Sequence, residues 1–235
     1  EALAAGTDVS VAPHISCMAR SEVMLREILQ GYRDRGISRL VVLRGDRPEG
    51  LSGPGPFQHA NELVAWVRRE FDDGFHIDVA CYPEFHPESP SPQSELRYFR
   101  QKVEAGADGA VTQYFYNPDC YFHFVDECRR SGIDVPITPG IMPITNYRQL
   151  SRFSEMCGAE IPRWIRRRLE GFGEDGAAIR AFGLDVVTDL CERLLAGGAP
   201  GLHFYTLNRA NASLLLWQRL NRSAGAGYSS PKMAT

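Results

Sequence analysis

Residues 76–114 read HIDVACYPEFHPESPSPQSELRYFRQKVEAGADGAVTQY, and the fold is decided here. A short strand-like run at 76–81 leads through a polar loop to an amphipathic run at 93–105, which Gly106 closes, and a second apolar run follows at 109–114. Strand, helix and strand in that order are the pattern of a βα unit on a parallel sheet.

The same alternation extends in both directions. Strands are expected at 9–15, 38–43, 135–139 and 201–205, several too apolar to have a wet face. Helices are expected at 21–35, capped by Ser21 and closed by Gly36, at 61–71, and at 118–131, closed by Gly132. After the fifth strand come three helical pieces, 147–157, 162–170 and 176–196, a longer excursion than a βα unit needs and of the kind that shapes a site. The fold class is therefore α/β, a TIM (βα)8 barrel. Such a barrel needs eight strands and ~250 residues, whereas six strands are legible here and the first begins close to residue 1. The expectation is a single barrel domain, 1–235, that lacks its first two βα units, with residues 1–6 the tail of a preceding helix and the first strand at an open edge.

Composition narrows the function. The chain has 235 residues, 26 basic and 29 acidic, for a net charge of -3 with no run of one sign, which argues against nucleic acid and anionic membranes as partners. No apolar stretch approaches the ~20 residues that span a bilayer, and the first residues lack a signal-peptide pattern, so a cytoplasmic protein is expected. Six cysteines are scattered singly, without CxxC pairs or zinc-ligand spacing, and read as reduced structural thiols with no metal. No GxGxxG follows a strand, and GxxxxGK[ST], GxSxG and HExxH are missing from the sequence, which sets aside the common nucleotide, hydrolase and metalloprotease signatures.

In a barrel of this class the site is built at the C-terminal ends of the strands. Those exits carry Pro13-His14, Leu43-Arg44-Gly45-Asp46, Tyr82-Pro83-Glu84-Phe85-His86-Pro87, Thr112-Gln113-Tyr114-Phe115, Pro139-Gly140-Ile141 and Tyr205-Thr206-Leu207-Asn208-Arg209. Each has an ordinary alternative. A lone His14 is often a hydrogen-bonded loop histidine, Arg44-Gly45-Asp46 has the residues of a surface turn, and Gln113 lies in an aromatic stretch that could be core. Against this, Gly45 lets backbone approach a ligand, Asp46 leaves a carboxylate at the barrel mouth, and the amide of Gln113 both donates and accepts, which suits a heterocycle edge.

These exits, together with Pro13-His14-Ile15-Ser16-Cys17, Lys102-Val103-Glu104-Ala105-Gly106-Ala107, Pro139-Gly140-Ile141-Met142-Pro143 and His203-Phe204-Tyr205-Thr206-Leu207-Asn208-Arg209-Ala210, resemble the methylenetetrahydrofolate reductase family from about Val11 to about Ala210. The resemblance implies non-covalent FAD, held at His14, Arg44, Gly45, Asp46, Ala60, Tyr82, His86 and Lys102, with Lys102 a point charge for the pyrophosphate. His59, Glu95, Tyr98 and Gln101 fall at flavin-side positions where some relatives have Tyr, Asp, Asn and Arg, so the adenine end is expected to be held differently. Gln113, Gln149, Phe153, Tyr205 and Arg209 fall where folate or nicotinamide binds. The implied reaction uses one pocket in turn for NAD(P)H and for 5,10-methylenetetrahydrofolate, giving 5-methyltetrahydrofolate for one-carbon metabolism and methionine biosynthesis. Asp46 would favour the cationic iminium of the opened folate, and Gln113 would orient the pterin, so these two are the expected catalytic residues.

The family's acidic general acid and a flavin-contacting Thr belong to the first two strands, so this stretch alone is expected to be inactive. A homo-oligomer is expected. The rival from another class is a non-catalytic flavin- or folate-binding barrel module or partner subunit. A phosphate-binding aldolase or synthase barrel explains the repeat but needs a Schiff-base Lys or metal ligands at a strand end, and Lys102 is expected on a helix.

Overall fold

The computed structural model describes residues 9–17, 21–45 and 55–224. Its elements alternate as expected of an α/β chain: β1 (His14–Ser16), α1 (Glu22–Arg33), β2 (Arg39–Leu43), α2 (Ala60–Phe71), β3 (His76–Cys81), α3 (Pro92–Glu104), β4 (Gly109–Thr112), α4 (Pro118–Arg130), β5 (Ile137–Thr138), β6 (Gly140–Ile141), α5 (Tyr147–Cys157), α6 (Arg163–Gly171), α7 (Gly176–Ala196), β7 (His203–Phe204) and α8 (Ala210–Ala224). Five strands follow the order β1-β2-β3-β4-β5, and β6 pairs with β7 separately. The pairings β1–β2, β2–β3 and β6–β7 are parallel, with His14 opposite Val41, Arg39 opposite His76 and Gly140 opposite His203. Among the described residues β1 is the edge of its sheet, as the sequence implies.

The chain divides into two compact units. One comprises the described residues up to Cys81 with Leu96–Ala110; the other comprises Tyr82–Glu95 and the described residues from Val111 onward. In the first unit α1 starts where Ser21 Oγ accepts the Met24 N–H, and it buries Leu25 and Leu29, one turn apart, as an amphipathic helix must. α2 buries Leu63, Val64, Trp66, Val67 and Phe71, and Trp66 lies against Phe57 and Phe71 while its indole N–H donates to Glu22. Arg68 organises the end of this unit. Its guanidinium donates to the carbonyls of Gly106, Asp72 and Phe75 and to the Asp108 carboxylate, which also accepts the Ile77 N–H. Gly106, at φ 112°, sits so close that a Cβ would lie 2.8 Å from Arg68 Cγ.

In the second unit Asn117, Asn146 and Asp175 cap α4, α5 and α7 with side-chain oxygens, and Pro118 takes the first turn of α4, where its missing N–H costs nothing. Gly183 in α7 lies against Ile144; a Cβ there would be 2.3 Å from the Ile144 carbonyl oxygen. Trp164 and Phe172 meet Phe182 edge to face, tying α6 to α7. No helix among the described residues is long and apolar enough to cross a membrane.

Several strands are shorter than the sequence suggests, β4 ending at Thr112 rather than at 114 and β2 starting at Arg39 rather than at 38, and proline explains two of the larger differences. Pro13 has no N–H to continue the ladder, so β1 is assigned only from His14, although the Pro13 carbonyl still accepts the Val41 N–H. Pro136 and Pro139 flank Ile137–Thr138, so the expected strand 135–139 shrinks to two residues, and the chain re-pairs at Gly140 with β7. The last strand covers His203–Phe204 rather than 201–205. α8 was not anticipated: its apolar residues are consecutive rather than helically spaced, and only Leu216 of the group is buried while Leu214, Leu215 and Trp217 are 51%, 50% and 58% exposed.

Arg68→Met is expected to destabilise the first unit by ~2–4 kcal/mol, because it leaves several inward-facing carbonyls and Asp108 without their donor. Urea unfolding of the two proteins gives the difference, and equal midpoints would show the brace to be dispensable.

Candidate functional site

The expected residues divide between the two units. In the first, His14 lies in β1, Arg44 and Gly45 leave β2, His59 and Ala60 start α2, and Lys102 is in the last turn of α3. Asp46 lies outside the described residues. His14 is open to solvent on one side, yet burial on the other lowers its pKa, so its imidazole is neutral at pH 7. The Arg44 carbonyl accepts the Cys17 thiol at 3.0 Å, which holds the start of this loop against the end of β1, and Gly45 follows at φ 78°, a left-handed conformation that glycine adopts freely. Lys102 is on a helix, as the sequence suggests, but its Nζ reaches 2.6 Å from the carbonyl of Ala80, next to the end of β3. A long flexible stem has therefore carried the ammonium from a helix to a strand exit.

In the second unit the β3 exit loop carries Tyr82 and His86, whose rings meet edge to face at 4.8 Å. His86 Nδ1 accepts the Glu88 N–H, so its remaining nitrogen is the one placed to donate. Glu95, only 3% exposed, accepts the His86 N–H at 3.3 Å and the Ser89 hydroxyl at 2.6 Å. Its carboxylate thus fixes the 86–89 turn, an internal role that its expected place near a flavin does not reveal.

Thr112, at the end of β4, is fully buried. Its Oγ accepts the Gly140 N–H at 2.9 Å, and its carbonyl accepts the Tyr205 hydroxyl at 2.9 Å. Gly140 allows the approach, since a Cβ there would stand 2.2 Å from the Thr112 oxygen and 2.6 Å from the Tyr205 ring. This knot fixes the next residue, Gln113, whose amide oxygen accepts the N–H of Tyr114, leaving the amide NH2 as the donor end. Tyr114 packs edge-on to Tyr116 and Tyr205, and its buried hydroxyl meets Ser154 at 3.1 Å and the Cys157 thiol at 3.4 Å; burial raises its pKa, keeping it protonated. Gln149 and Phe153, four residues apart on α5, share one helix face and are both half-buried. Arg209 is exposed beyond β7, after Leu207 and Asn208 at φ 48° and 59°, a strained turn for non-glycine residues.

Sequence reasoning missed Thr112, Ser89, Ser154 and Glu84. Thr112 and Glu84 stand inside the exit motifs it picked out, whereas Ser89 and Ser154 carry no local signal and become visible only through their partners.

With this arrangement in view, the model of the methylenetetrahydrofolate reductase family matches residues 1–221. The chain belongs to that family. It is 39% identical over 214 residues to the 5,10-methylenetetrahydrofolate reductase of Pectobacterium carotovorum subsp. carotovorum, covering 91% of this chain and 70% of that protein. The Escherichia coli (strain K12) reductase of the same name is 38% identical over 219 residues, covering 93% and 73%. Methylenetetrahydrofolate reductase (NADH) 1 of Arabidopsis thaliana is 38% identical over 213 residues, or 85% of this chain and 36% of the plant protein. Among solved structures, an uncharacterized protein from Clostridium thermocellum that binds two copies of 5-methyl-5,6,7,8-tetrahydrofolic acid covers 91% of this chain and 96% of its own at TM-score 0.50 and 16% identity, a likeness of fold alone.

In this member of the reductase family, Thr112→Val keeps the shape of the side chain but leaves the buried Gly140 N–H without an acceptor. A loss of ~1–3 kcal/mol is expected in thermal or urea unfolding. An unchanged midpoint would mean that the β4–β6 knot is held by packing alone.

Proposed function

We propose that this chain is the catalytic barrel of a flavin-dependent reductase that converts 5,10-methylenetetrahydrofolate to 5-methyltetrahydrofolate with NAD(P)H, a step that supplies methyl groups for methionine biosynthesis. The observation that carries the proposal is the second unit's exit from β4. There Gln113, a neutral donor and acceptor, stands beside the Tyr114–Tyr205 aromatic pair on a buried knot. Such a set suits a flat heterocycle that must be oriented by its edge. The names of the bacterial and plant relatives, the latter specifying NADH, support the same reading.

The donor set fits FAD. In the first unit Lys102 brings an ammonium to the end of β3, the start of α2 at His59 and Ala60 offers first-turn backbone N–H groups of the kind suited to phosphate, with no capping bond from the His59 side chain, and Gly45 permits close backbone approach. Neutral His14 and Arg44 complete that group. In the second unit Tyr82 and His86 offer an aromatic edge and a ring N–H, on a turn that Glu95 holds in place. When bound, FAD supplies a two-electron carrier between the nicotinamide and the folate.

The chain's own residues do the rest. Gln113 orients the pterin through its amide, Phe153 and Gln149 present a flat apolar face and a second amide from one side of α5, and Arg209 meets the glutamate carboxylates of the folate as an exposed cation. By the family resemblance, Asp46 supplies the carboxylate that favours the iminium formed when the folate ring opens.

In the intact protein, Asp46→Asn is expected to keep its flavin absorption bands while folate reduction slows on the order of 10- to 100-fold, more than nicotinamide oxidation with menadione as acceptor. Stopped-flow measurement of the two half-reactions makes the comparison, and equal slowing of both would remove the role given to Asp46. Gln113→Glu, which exchanges a donor for an acceptor-only carboxylate, is expected to raise the folate KM ~10-fold or more without loss of flavin. Wild-type protein that binds flavin yet turns over neither substrate would instead identify a non-catalytic binding module.

A further inference from the structure

The loop that leaves β3 concentrates three costs within a few residues of the second unit. Glu84 is half-buried and accepts the Glu160 N–H at 2.8 Å. Burial is the main cause that pushes its carboxyl up to about 7, and the neighbouring Glu160 carboxylate adds to it. Phe85, a bulky residue, holds φ at 55° and is 47% exposed. Gly158, the left-handed C-cap of α5, presses on the same loop so closely that a Cβ would lie 2.9 Å from Pro87 Cγ. Strain, a buried acid and a tight backbone approach in one loop are the marks of a site selected for something other than stability.

What the loop joins gives those costs a purpose. On one side it carries Tyr82 and His86; on the other it is fastened at Glu160 and Gly158, the segment that ends α5, the helix of Gln149 and Phe153. The geometry points to Glu84 as a positioning residue, one that clamps the loop bearing Tyr82 and His86 to the C-terminal end of the helix bearing Gln149 and Phe153. The roles of those four residues rest on the function proposed above; the clamp itself rests on the contacts just given.

The titratable groups that face Glu84 are Glu160 after α5, Cys120 on α4 and Tyr114 beyond β4, and none of these three is a cation. Burial also raises Cys120, so its thiol stays protonated beside Glu84. The clamp therefore has two states near neutrality. Below about pH 7 a neutral acid accepts from Glu160 N–H; above it a carboxylate makes a charge-assisted bond but bears the burial and the repulsion of Glu160. Because the folded pKa is raised above its ordinary 4.5, the stability that Glu84 contributes is complete below about 4.5 and is lost as pH rises through about 7.

The test uses the intact protein and the variants Glu84→Gln and Glu84→Ala. Gln mimics the neutral acid and keeps the acceptor, so its melting temperature is expected to exceed that of wild type at about pH 8 and to match it at about pH 5. A gap that does not change between these pH values overturns the clamp. In steady-state kinetics the wild type is expected to show an inflection near pH 7 in kcat/KM for methylenetetrahydrofolate, which the Gln variant lacks, while Ala raises the folate KM ~2- to 10-fold at every pH and Gln restores it at acid pH. An inflection that persists in the Gln variant overturns the positioning role. Flavin bands in wild type, read separately, test the functional proposal, and the melting comparison stands whatever they show.

Discussion

The hydrogen bond from the Gly140 N–H to the buried hydroxyl of Thr112 is the constraint on which the second unit depends. β4 ends there, β6 begins there, and Tyr205 from the end of β7 closes the knot by donating to the carbonyl of the same threonine. Three chain segments far apart in sequence meet at one side chain. Every residue proposed to face substrate from these strands, Gln113 and Tyr205 above all, takes its position from this point. A hydroxyl inside an apolar layer has to be satisfied, and that requirement fixes register more sharply than packing of Val or Ile would.

Most of the fold was legible because periodicity and caps agreed. Ser21, Asn117, Asn146 and Asp175 sit at helix starts where polar oxygens can take orphan N–H groups, and the helices at 147–157 and 176–196 begin and end at the residues the sequence indicates. The failures have definite causes. Proline removed donors around β1 and β5, so segments that look like strands pair over fewer residues than their composition suggests. The closing helix α8 escaped notice because Leu214, Leu215, Leu216 and Trp217 are contiguous, so that no polar face alternates with them.

The candidate site was legible in a different way. Residue types at strand exits, together with the family resemblance, pointed to Gln113, Tyr205, His86 and Lys102 as candidates, and the structure supplied what those letters could not, namely their partners. Lys102 illustrates the gap: its helical address says nothing of an ammonium bonded at the end of β3. Glu95 illustrates the reverse, a residue expected beside a ligand that spends its carboxylate on Ser89 and the His86 backbone. Hydrogen bonds between residues distant in sequence leave no local pattern, and it is these that decide which polar residues face inward to the scaffold.

The contact between Gly158 and Pro87 constrains how this protein can vary over evolutionary time. A side chain at position 158 collides with the pyrrolidine ring and must also adopt a left-handed backbone, so that position is closed to drift while position 87 stays proline. A change at 87 to a smaller residue relieves the collision and leaves only the backbone term, which Asn tolerates better than other non-glycine residues. The two sites are thus expected to substitute in a fixed order among homologues, position 87 first, leaving a covarying pair in any deep alignment although the residues lie on separate loops.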